Sequence, residues 1–285
     1  METRRLGRTE HRSSVAILGG AAFALATPET TRPAFDAALA AGVNHLDIAP
    51  RYGAAESLVG PLLPAVRDRL FVGCKTTRRA ADGVRAHLEE SLRILGCARF
   101  DLYQAHAVTT VDVLNERGDA IREILRARDE GLTRFAGITG HNVEAPATFI
   151  EALARYDLDT VMFPVNPRLW ADADYRRSAE RLLEICAERD LGVMAIKAAA
   201  HRPWSGGERF ATTWYEPYRD PEAIALGVHF ALSVPGVHAV CTPGDLDVLP
   251  HALAAAAGFR SMSADERAAC IQRRASDPII FPIPT

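Results

Sequence analysis

Four residues suited to proton chemistry stand at or just beyond the ends of short apolar runs. The stretch 42–56 reads Gly-Val-Asn-His-Leu-Asp-Ile-Ala-Pro-Arg-Tyr-Gly-Ala-Ala-Glu, an apolar run that delivers Asp47 and then a turn carrying Tyr52. Phe-Val-Gly-Cys-Lys (71–75) ends in Lys75, and Asp-Leu-Tyr-Gln-Ala-His (101–106) ends in His106. A phenol titrates at about pH 10 in water, so it exchanges protons poorly near neutrality unless its surroundings shift it. A neighbouring cation favours phenolate, and Lys75 can be that cation. A buried ammonium needs a carboxylate beside it, which Asp47 can supply. Bringing the phenol to neutrality is worth about 4 kcal/mol. His106 can then donate to a carbonyl oxygen and stabilise charge developing there. Such a set suits proton delivery to an oxygen becoming an alkoxide, with hydride supplied by a nicotinamide. Singly, each residue has an ordinary explanation: a cap, a surface ring, a satisfied core histidine. Their order on three successive runs carries the reading.

The cations are unevenly divided. Of 33 Lys and Arg residues only Lys75 and Lys197 are lysines, and both end apolar runs. Arg is a planar, always-charged fork, whereas Lys is a compact ammonium whose pKa can move.

Positioning these groups needs a scaffold of strands. Short apolar runs at Ser14–Gly19, Val43–Ile48, Leu70–Lys75, Phe100–His106, Arg134–Thr139, Thr160–Asn166, Gly192–Lys197 and Val237–Thr242 alternate with helix-period segments. The helical segments are Arg32–Ala41, Ala54–Asp68, Gly83–Leu95, Val111–Glu130, Ala145–Arg155, Asp174–Asp190, Glu222–Leu232 and Asp245–Ala257. Continuous apolar strands suit a parallel sheet buried on both faces. Val84, Leu88, Leu92 and Leu95 recur on one helical face, and Gly96, Gly131 and Gly192 follow helical segments as end signals. Eight β–α alternations without a linker predict one closed α/β barrel, (β/α)8, as a single domain over 1–285, preceded by a hairpin (Arg5–Arg12) and followed by a helix after Ser263 and a Pro-rich extended tail. In such a barrel the loops after the strands line the active face. The loop 199–220, after the seventh strand, holds Trp204, Trp214, Tyr215 and Tyr218. It reads as a lid over an apolar ligand, with Trp204, Trp214 and Tyr215 as substrate contacts; the alternative is a loop packed on its own aromatics.

The chain resembles the aldo-keto reductases over nearly its whole length. Arg5-Leu-Gly-Arg-Thr9 resembles their opening hairpin, 42–56 their first signature, and Ser91–His106 the segment that ends in their active-site histidine. The resemblance implies a tetrad of Asp47, Tyr52, Lys75 and His106, with NADP(H) as the usual cofactor and NAD(H) as the alternative. It implies cofactor contacts at Gly20, Asp47, Thr139, Lys197, Thr242 and Gly244, with His141 or Asn142 partnering Thr139 at the carboxamide. Lys197 is expected at the pyrophosphate. Met162 and Ile196 stand where the family often has Gln and Tyr. Cys-Thr-Pro-Gly-Asp-Leu-Asp (241–247) is similar to the family's phosphate-binding turn, where a helix start suits a phosphate. Asp245 and Asp247 would repel a 2′-phosphate there.

Two other classes compete. His45, Asp47 and His106 are metal-ligand types that a barrel hydrolase could use, although Lys75 would repel a metal. A redox-sensing subunit that binds cofactor without turnover would explain the departures at Met162, Ile196 and 245–247, but has no need of a proton donor.

Composition narrows the field further. With 285 residues, 48% apolar and 24% charged, and a net charge of −3 with no basic run, the chain reads as a globular protein that does not bind nucleic acid. Cys74, Cys97, Cys186, Cys241 and Cys270 form no paired motif, which suggests free thiols in a cytoplasmic, reducing setting. Residues 1–29, with Arg4, Arg5, Arg8 and Arg12 before Val15–Ala26, imitate a secretory signal; the reading preferred is a hairpin feeding the first strand. No apolar run approaches the ~20 residues of a membrane helix. The expected partner is a small carbonyl or alcohol substrate.

Overall fold

The computed structural model describes residues 1–281. Eight parallel strands close a barrel: β1 (Ala16–Gly19), β2 (His45–Asp47), β3 (Phe71–Thr76), β4 (Phe100–Ala105), β5 (Thr133–Thr139), β6 (Thr160–Pro164), β7 (Gly192–Ile196) and β8 (Ala239–Cys241). They pair in chain order, and β8 returns to β1. Helices wrap the outside, so the strands are buried on both faces, as their unbroken apolar runs require. Leu18, Leu46, Val72 and Tyr103 face the helices, while Ile17, Phe71, Leu102, Met162 and Met194 fill the lumen.

The hairpin forms from Thr3–Arg5 and Arg12–Ser14. Leu6, at its turn, is fully buried and plugs the barrel floor among the lumen residues. Gly192, expected to mark a helix end, lies instead inside β7, and a side chain there would meet Leu6 Cγ at 2.8 Å. It makes room for the plug. The left-handed residue at that helix end is Asp190, at φ +54°. The stretch that imitates a signal thus builds the floor and β1.

Two expected helices are broken. Ala54–Asp68 is helical only over Ala55–Val59 and continues as 3-10 turns. Pro61 and Pro64 lack the N–H an α-helix needs, and their rings clash with the preceding turn. Val111–Glu130 divides at Arg117 into Val111–Glu116 and Gly118–Asp129. The final helix, Ala264–Arg274, starts with a Ser263–Glu266 capping box. Residues 282–285 of the expected tail lie outside the described residues.

Lumen register prepares the site. Asp47 pairs with Gly19 on one side and Gly73 on the other, and Gln104 pairs with Lys75 and Gly137. Gly137 leaves room for Gln104: a side chain there would run into Thr160 Oγ1 and meet Gln104 Cγ at 3.1 Å. Replacing Leu6 by Ala should leave a cavity in the floor and cost about 2–5 kcal/mol. Chemical denaturation checks this; an unchanged midpoint would show that the floor collapses to fill the gap.

Candidate active site

The strand tips converge at the upper rim. Lys75 is 1% and Asp47 2% exposed. The Lys75 ammonium is ion-paired with Asp47 Oδ2 and donates to the Tyr52 hydroxyl oxygen at 3.1 Å. Gln104 Nε2 donates to the other carboxylate oxygen, Oδ1, at 3.1 Å. Cys241 Sγ lies 3.9 Å from Asp47 Oδ2. Burial disfavours the Lys75 cation, but Asp47 and Tyr52 more than reverse this and raise its pKa above the ordinary lysine value. The ammonium is therefore locked in place.

The Tyr52 ring stands edge-on to the His106 ring, centroids 5.9 Å apart. The structure corrects the expected acidification of the phenol. Burial pushes Tyr52 up to about 12 and outweighs the opposing pull of Lys75. The phenol keeps its proton at neutral pH. His106 is pushed well below the ordinary histidine value, first by burial and then by Lys75 and His141, so the ring is neutral. The buried Arg117, at the helix break, donates to the His106 backbone carbonyl.

A cleft of about 720 Å³, counted out to its mouth, runs from Tyr52 and Lys75 past Thr139 and His141 to Lys197 and the turn Thr242–Gly244. Most of the expected cofactor residues thus line one cleft, and Tyr215 joins them. Gly20 does not: its side-chain direction points at Ile48 Cγ1, 2.8 Å away, and Gly19 and Ala21 line the cleft instead. The alternation along β1 puts Gly19 inward and turns its neighbour out. Thr242 Oγ1 accepts from the Gly19 N–H at 2.9 Å. Among the described residues, the His141 ring makes its one hydrogen-bond contact with His106, Nε2 to Nε2 at 3.3 Å.

Lys197 has φ +66°, and Ala107, next to His106, has φ +59°. Non-glycine residues held in this region store strain, and such strain gathers at functional rims. The Lys197 ammonium lies 4.9 Å from the ring centres of both Trp214 and Tyr215. Burial, with the like charge of Lys75, brings its pKa down to about 8.

The lid is tied down by its own residues. A short ribbon pairs Ala200–Arg202 with Glu216–Pro217. Trp204, expected at the substrate, packs on Phe210 and donates to the Thr213 carbonyl at 2.8 Å. It is a plug within the loop and does not line the cleft. Trp214 leans on Tyr215 and Phe281. Thr212 clasps the far side: its N–H donates to Asp245 Oδ2 at 2.8 Å and its hydroxyl to the Gly244 carbonyl at 2.7 Å. Asp245 Oδ1 accepts from the N–H groups of Asp247 (2.9 Å) and Val248 (3.0 Å). Asp245 folds inward and holds the turn 246–248 that leads into the helix Leu249–Ala257.

His45 bonds Ser13 Oγ through Nδ1 at 2.9 Å and packs on His11 and Phe71 near the floor. It belongs to a lower lumen layer than Asp47 and does not join His106. Among the described residues no group of three or more His, Cys, Asp or Glu is arranged to hold a metal. All five cysteines are free.

Gln104 escaped the sequence reading, yet its signal was present: a polar residue two positions before His106, on the lumen side of an apolar run. Cys241 gave no such signal, because its partner Asp47 is distant in sequence, and Arg117 is one of many arginines, in a segment read as one continuous helix.

A strand-tip constellation of this kind on an eight-stranded barrel defines a class of protein, and the comparisons agree on which. The chain belongs to the Aldo/keto reductase family, whose model matches residues 16–217. It is 25% identical over 174 residues to the uncharacterized oxidoreductase YqkF of Bacillus subtilis, covering 56% of this chain and 53% of that protein. It is 32% identical over 129 residues to an aldo-keto reductase of a Mycobacterium species (strain JLS), covering 44% and 46%. The chain spans about half the length of the curated relatives it matches. Its fold is similar to that of aldo-keto reductase AKR11C1 from Bacillus halodurans in its holo form, with a TM-score of 0.73 at 22% identity over 97% of each chain. A putative aldo-keto reductase from Pseudomonas aeruginosa gives 0.71 at 23% identity, over 90% of this chain and 94% of that one.

The Lys75→Met substitution should cost about 3–5 kcal/mol at pH 7, because it strands a buried carboxylate. Burial raises the pKa of an unpaired Asp47 above its unfolded value, so the deficit should shrink as pH falls and the carboxyl protonates. Denaturation of both proteins at pH 5 and pH 8 checks this; an equal deficit at the two pH values would mean that Asp47 is not the stranded charge.

Proposed function

We propose that this protein is a nicotinamide-dependent oxidoreductase that reduces an aldehyde or ketone to an alcohol, with Asp47, Tyr52, Lys75 and His106 as its working residues. The observation that carries this reading is the Lys75 ammonium shared between Asp47 and the Tyr52 oxygen. Because that oxygen accepts from Lys75, the phenolic proton is free to point into the cleft. A neutral His106 beside it can donate through Nε2 to the same substrate oxygen. The dinucleotide supplies hydride when bound. As the carbonyl oxygen becomes an alkoxide, Tyr52 gives up its proton, and Lys75 stabilises the phenolate left behind. A phenol with a pKa of about 12 is still acid enough for an alkoxide, and it is fully protonated beforehand.

The cleft fits the cofactor. The Thr139 hydroxyl is buried in its wall without a partner, which suits a carboxamide. Lys197 sits between that wall and the turn 242–244, where it can meet a pyrophosphate. The turn itself favours NAD(H) over NADP(H). Asp245 turns its own carboxylate onto the Asp247 and Val248 N–H groups, which leaves a 2′-phosphate facing charge of the same sign and two fewer backbone donors there.

Substituting Tyr52→Phe should abolish carbonyl reduction and leave cofactor binding nearly intact. Persistent turnover with a generic aldehyde would remove Tyr52 from the acid role, while a wild-type protein that binds cofactor without turnover would favour the redox-sensing reading. Titration of nicotinamide fluorescence should give at least tenfold tighter binding of NADH than NADPH. Affinity should then weaken as pH rises through about 8, where Lys197 loses its charge. The Lys197→Met variant should flatten that profile. A wild-type profile without a break near pH 8 would exclude Lys197 as the anion contact. Alcohol oxidation needs the phenolate and should keep rising with pH beyond 10; a plateau near neutrality would contradict the raised Tyr52.

A further inference from the structure

Below the ion pair, the lumen holds a polar atom without a partner. His45 is fully buried, and its Nε2 bonds to nothing among the described residues. The ring's other nitrogen settles which role that atom has. Ser13 Oγ lies 3.1 Å from the Ser14 carbonyl oxygen and 2.9 Å from His45 Nδ1. A carbonyl can only accept, so the hydroxyl proton goes to Ser14, and His45 donates from Nδ1 to the Ser13 oxygen. Burial, followed by His11 and Lys75, holds the ring well below the ordinary histidine value, so it carries one proton. Nε2 is then bare and can only accept.

Gly73 shows what stands nearby. A side-chain carbon built on Gly73 would lie 3.6 Å from Asp47 Oδ1, 3.6 Å from the Leu46 carbonyl oxygen and 3.8 Å from His45 Nε2. Those are ordinary contact distances, so the room in front of Gly73 takes a group the size of a methyl. Gly73 alternates with Phe71 and Lys75 along β3, which turns that room into the lumen. Its backbone is that of an ordinary strand residue without a positive φ, so the conformation does not call for glycine. What the missing side chain provides is space, bordered by a carboxylate oxygen, a carbonyl oxygen and an imidazole nitrogen. None of the three can donate to another. Buried acceptors left without a donor are costly, and a buried water is the usual remedy.

We infer that one water molecule is a built-in part of the barrel, seated in front of Gly73 and donating its two hydrogens to Asp47 Oδ1 and His45 Nε2. A species that must donate twice within so small a space is water. A metal ion there would be repelled by the Lys75 ammonium, which already pairs with Asp47. With Gln104, the water gives Oδ1 two donors, while Lys75 and the Cys241 thiol attend Oδ2. Asp47 is then held from two directions. One is Gln104 on β4. The other runs through the water to His45, two residues earlier on β2, and from there through Ser13 to the hairpin strand Arg12–Ser14. Gly73 and His45 thereby act as positioning residues for the ion pair. The seat serves the carboxylate whether or not a substrate is turned over, so it stands apart from the reductase reading.

Gly73→Ala and Gly73→Ser separate a seat for water from spare apolar volume. Both add a side chain to the same backbone, so the effect of losing glycine cancels between them. The methyl of Ala fills the room and leaves two acceptors without a donor. The hydroxyl of Ser returns an O–H that can take the water's part at one of them. In urea denaturation the folded-to-unfolded ratio of the Ser variant should exceed that of the Ala variant at least about fivefold, the scale of one buried hydrogen bond. In apolar volume a hydroxyl costs more to bury than a methyl, and Ala would be the more stable. That order, or a margin below fivefold, overturns the proposal. Nitrogen NMR of the histidines reads the same contact, with the His45 resonance identified by its loss in His45→Gln. In the wild type His45 should show the Nδ1–H tautomer with a hydrogen-bonded Nε2. In Gly73→Ala the Nε2 resonance should move downfield, towards that of a bare nitrogen, whereas a purely structural role for Gly73 leaves it in place. The Nε2–H tautomer in the wild type, or a resonance that Gly73→Ala does not move, overturns the proposal. If Gly73→Ala does not unfold cooperatively, a crystal structure of the unaltered chain decides. A density peak about 2.6–3.2 Å from both Asp47 Oδ1 and His45 Nε2 is expected. No peak there, or one about 2.0–2.2 Å from both, as a metal ion would give, overturns it.

Discussion

A charged amine at the centre of a barrel is the constraint to which the rest of this structure answers. Desolvating an ammonium costs several kcal/mol unless a counter-charge and hydrogen bonds replace its water. Lys75 therefore cannot be placed alone. Asp47 must stand on the neighbouring strand, Gln104 must take the second carboxylate oxygen, and Gly137 must leave Gln104 its space. Three strands are committed to one ion pair before any substrate is considered. Tyr52 then sits over the pair, where an ammonium already held for electrostatic reasons is available to a phenolate. The same pair gives stability that depends on its geometry and a proton donor that depends on its charge.

The site's protonation states follow from a competition between burial and the fixed cation. For His106 and His141 the two effects agree, and both rings are driven neutral. For Tyr52 they oppose, and burial wins. The outcome suits a proton donor better than the depressed phenol the residue types alone suggest. A donor must be protonated when substrate arrives, and the alkoxide it serves is a strong enough base to take a proton from a weak acid. On the proposed reading, the cation's part is to stabilise the phenolate after transfer. It does not need to create phenolate beforehand.

Much of this was legible in the sequence, for physical reasons that can be named. Parallel strands buried on both faces must be apolar, so a polar residue at the end of such a run stands out, and Asp47, Lys75 and His106 all did. Gln104 obeyed the same rule and could have been found by counting two residues back from His106. What stayed hidden depended on contacts far apart in the chain or on which way one side chain turns. Gly20 and Gly19 are equivalent in composition, and only the strand's alternation says which faces the cleft. The helix over 54–68 fails because prolines interrupt a convincing apolar period. Trp204 has the chemistry of a substrate contact, but Phe210 and the Thr213 carbonyl claim it.

Asp245 shows how one side chain can bind two parts of the active face into one device. Read along the chain, it is an acid next to a phosphate-binding turn. In the fold, one of its oxygens holds the turn that leads into the helix after β8 and the other holds Thr212 of the lid. The turn after β8 and the loop 199–220 thus share a carboxylate. Removing the acid to admit a 2′-phosphate would free the backbone donors, but it would also release the clasp at Thr212. A carboxylate with both oxygens engaged is hard to replace by any single side chain. Serine can cap without clasping, and asparagine offers one acceptor where two are used. The charge beside this turn is therefore held in place by requirements of the rim itself, and on the proposed reading any cofactor preference it sets is tied to that architecture as well as to contacts with the ligand.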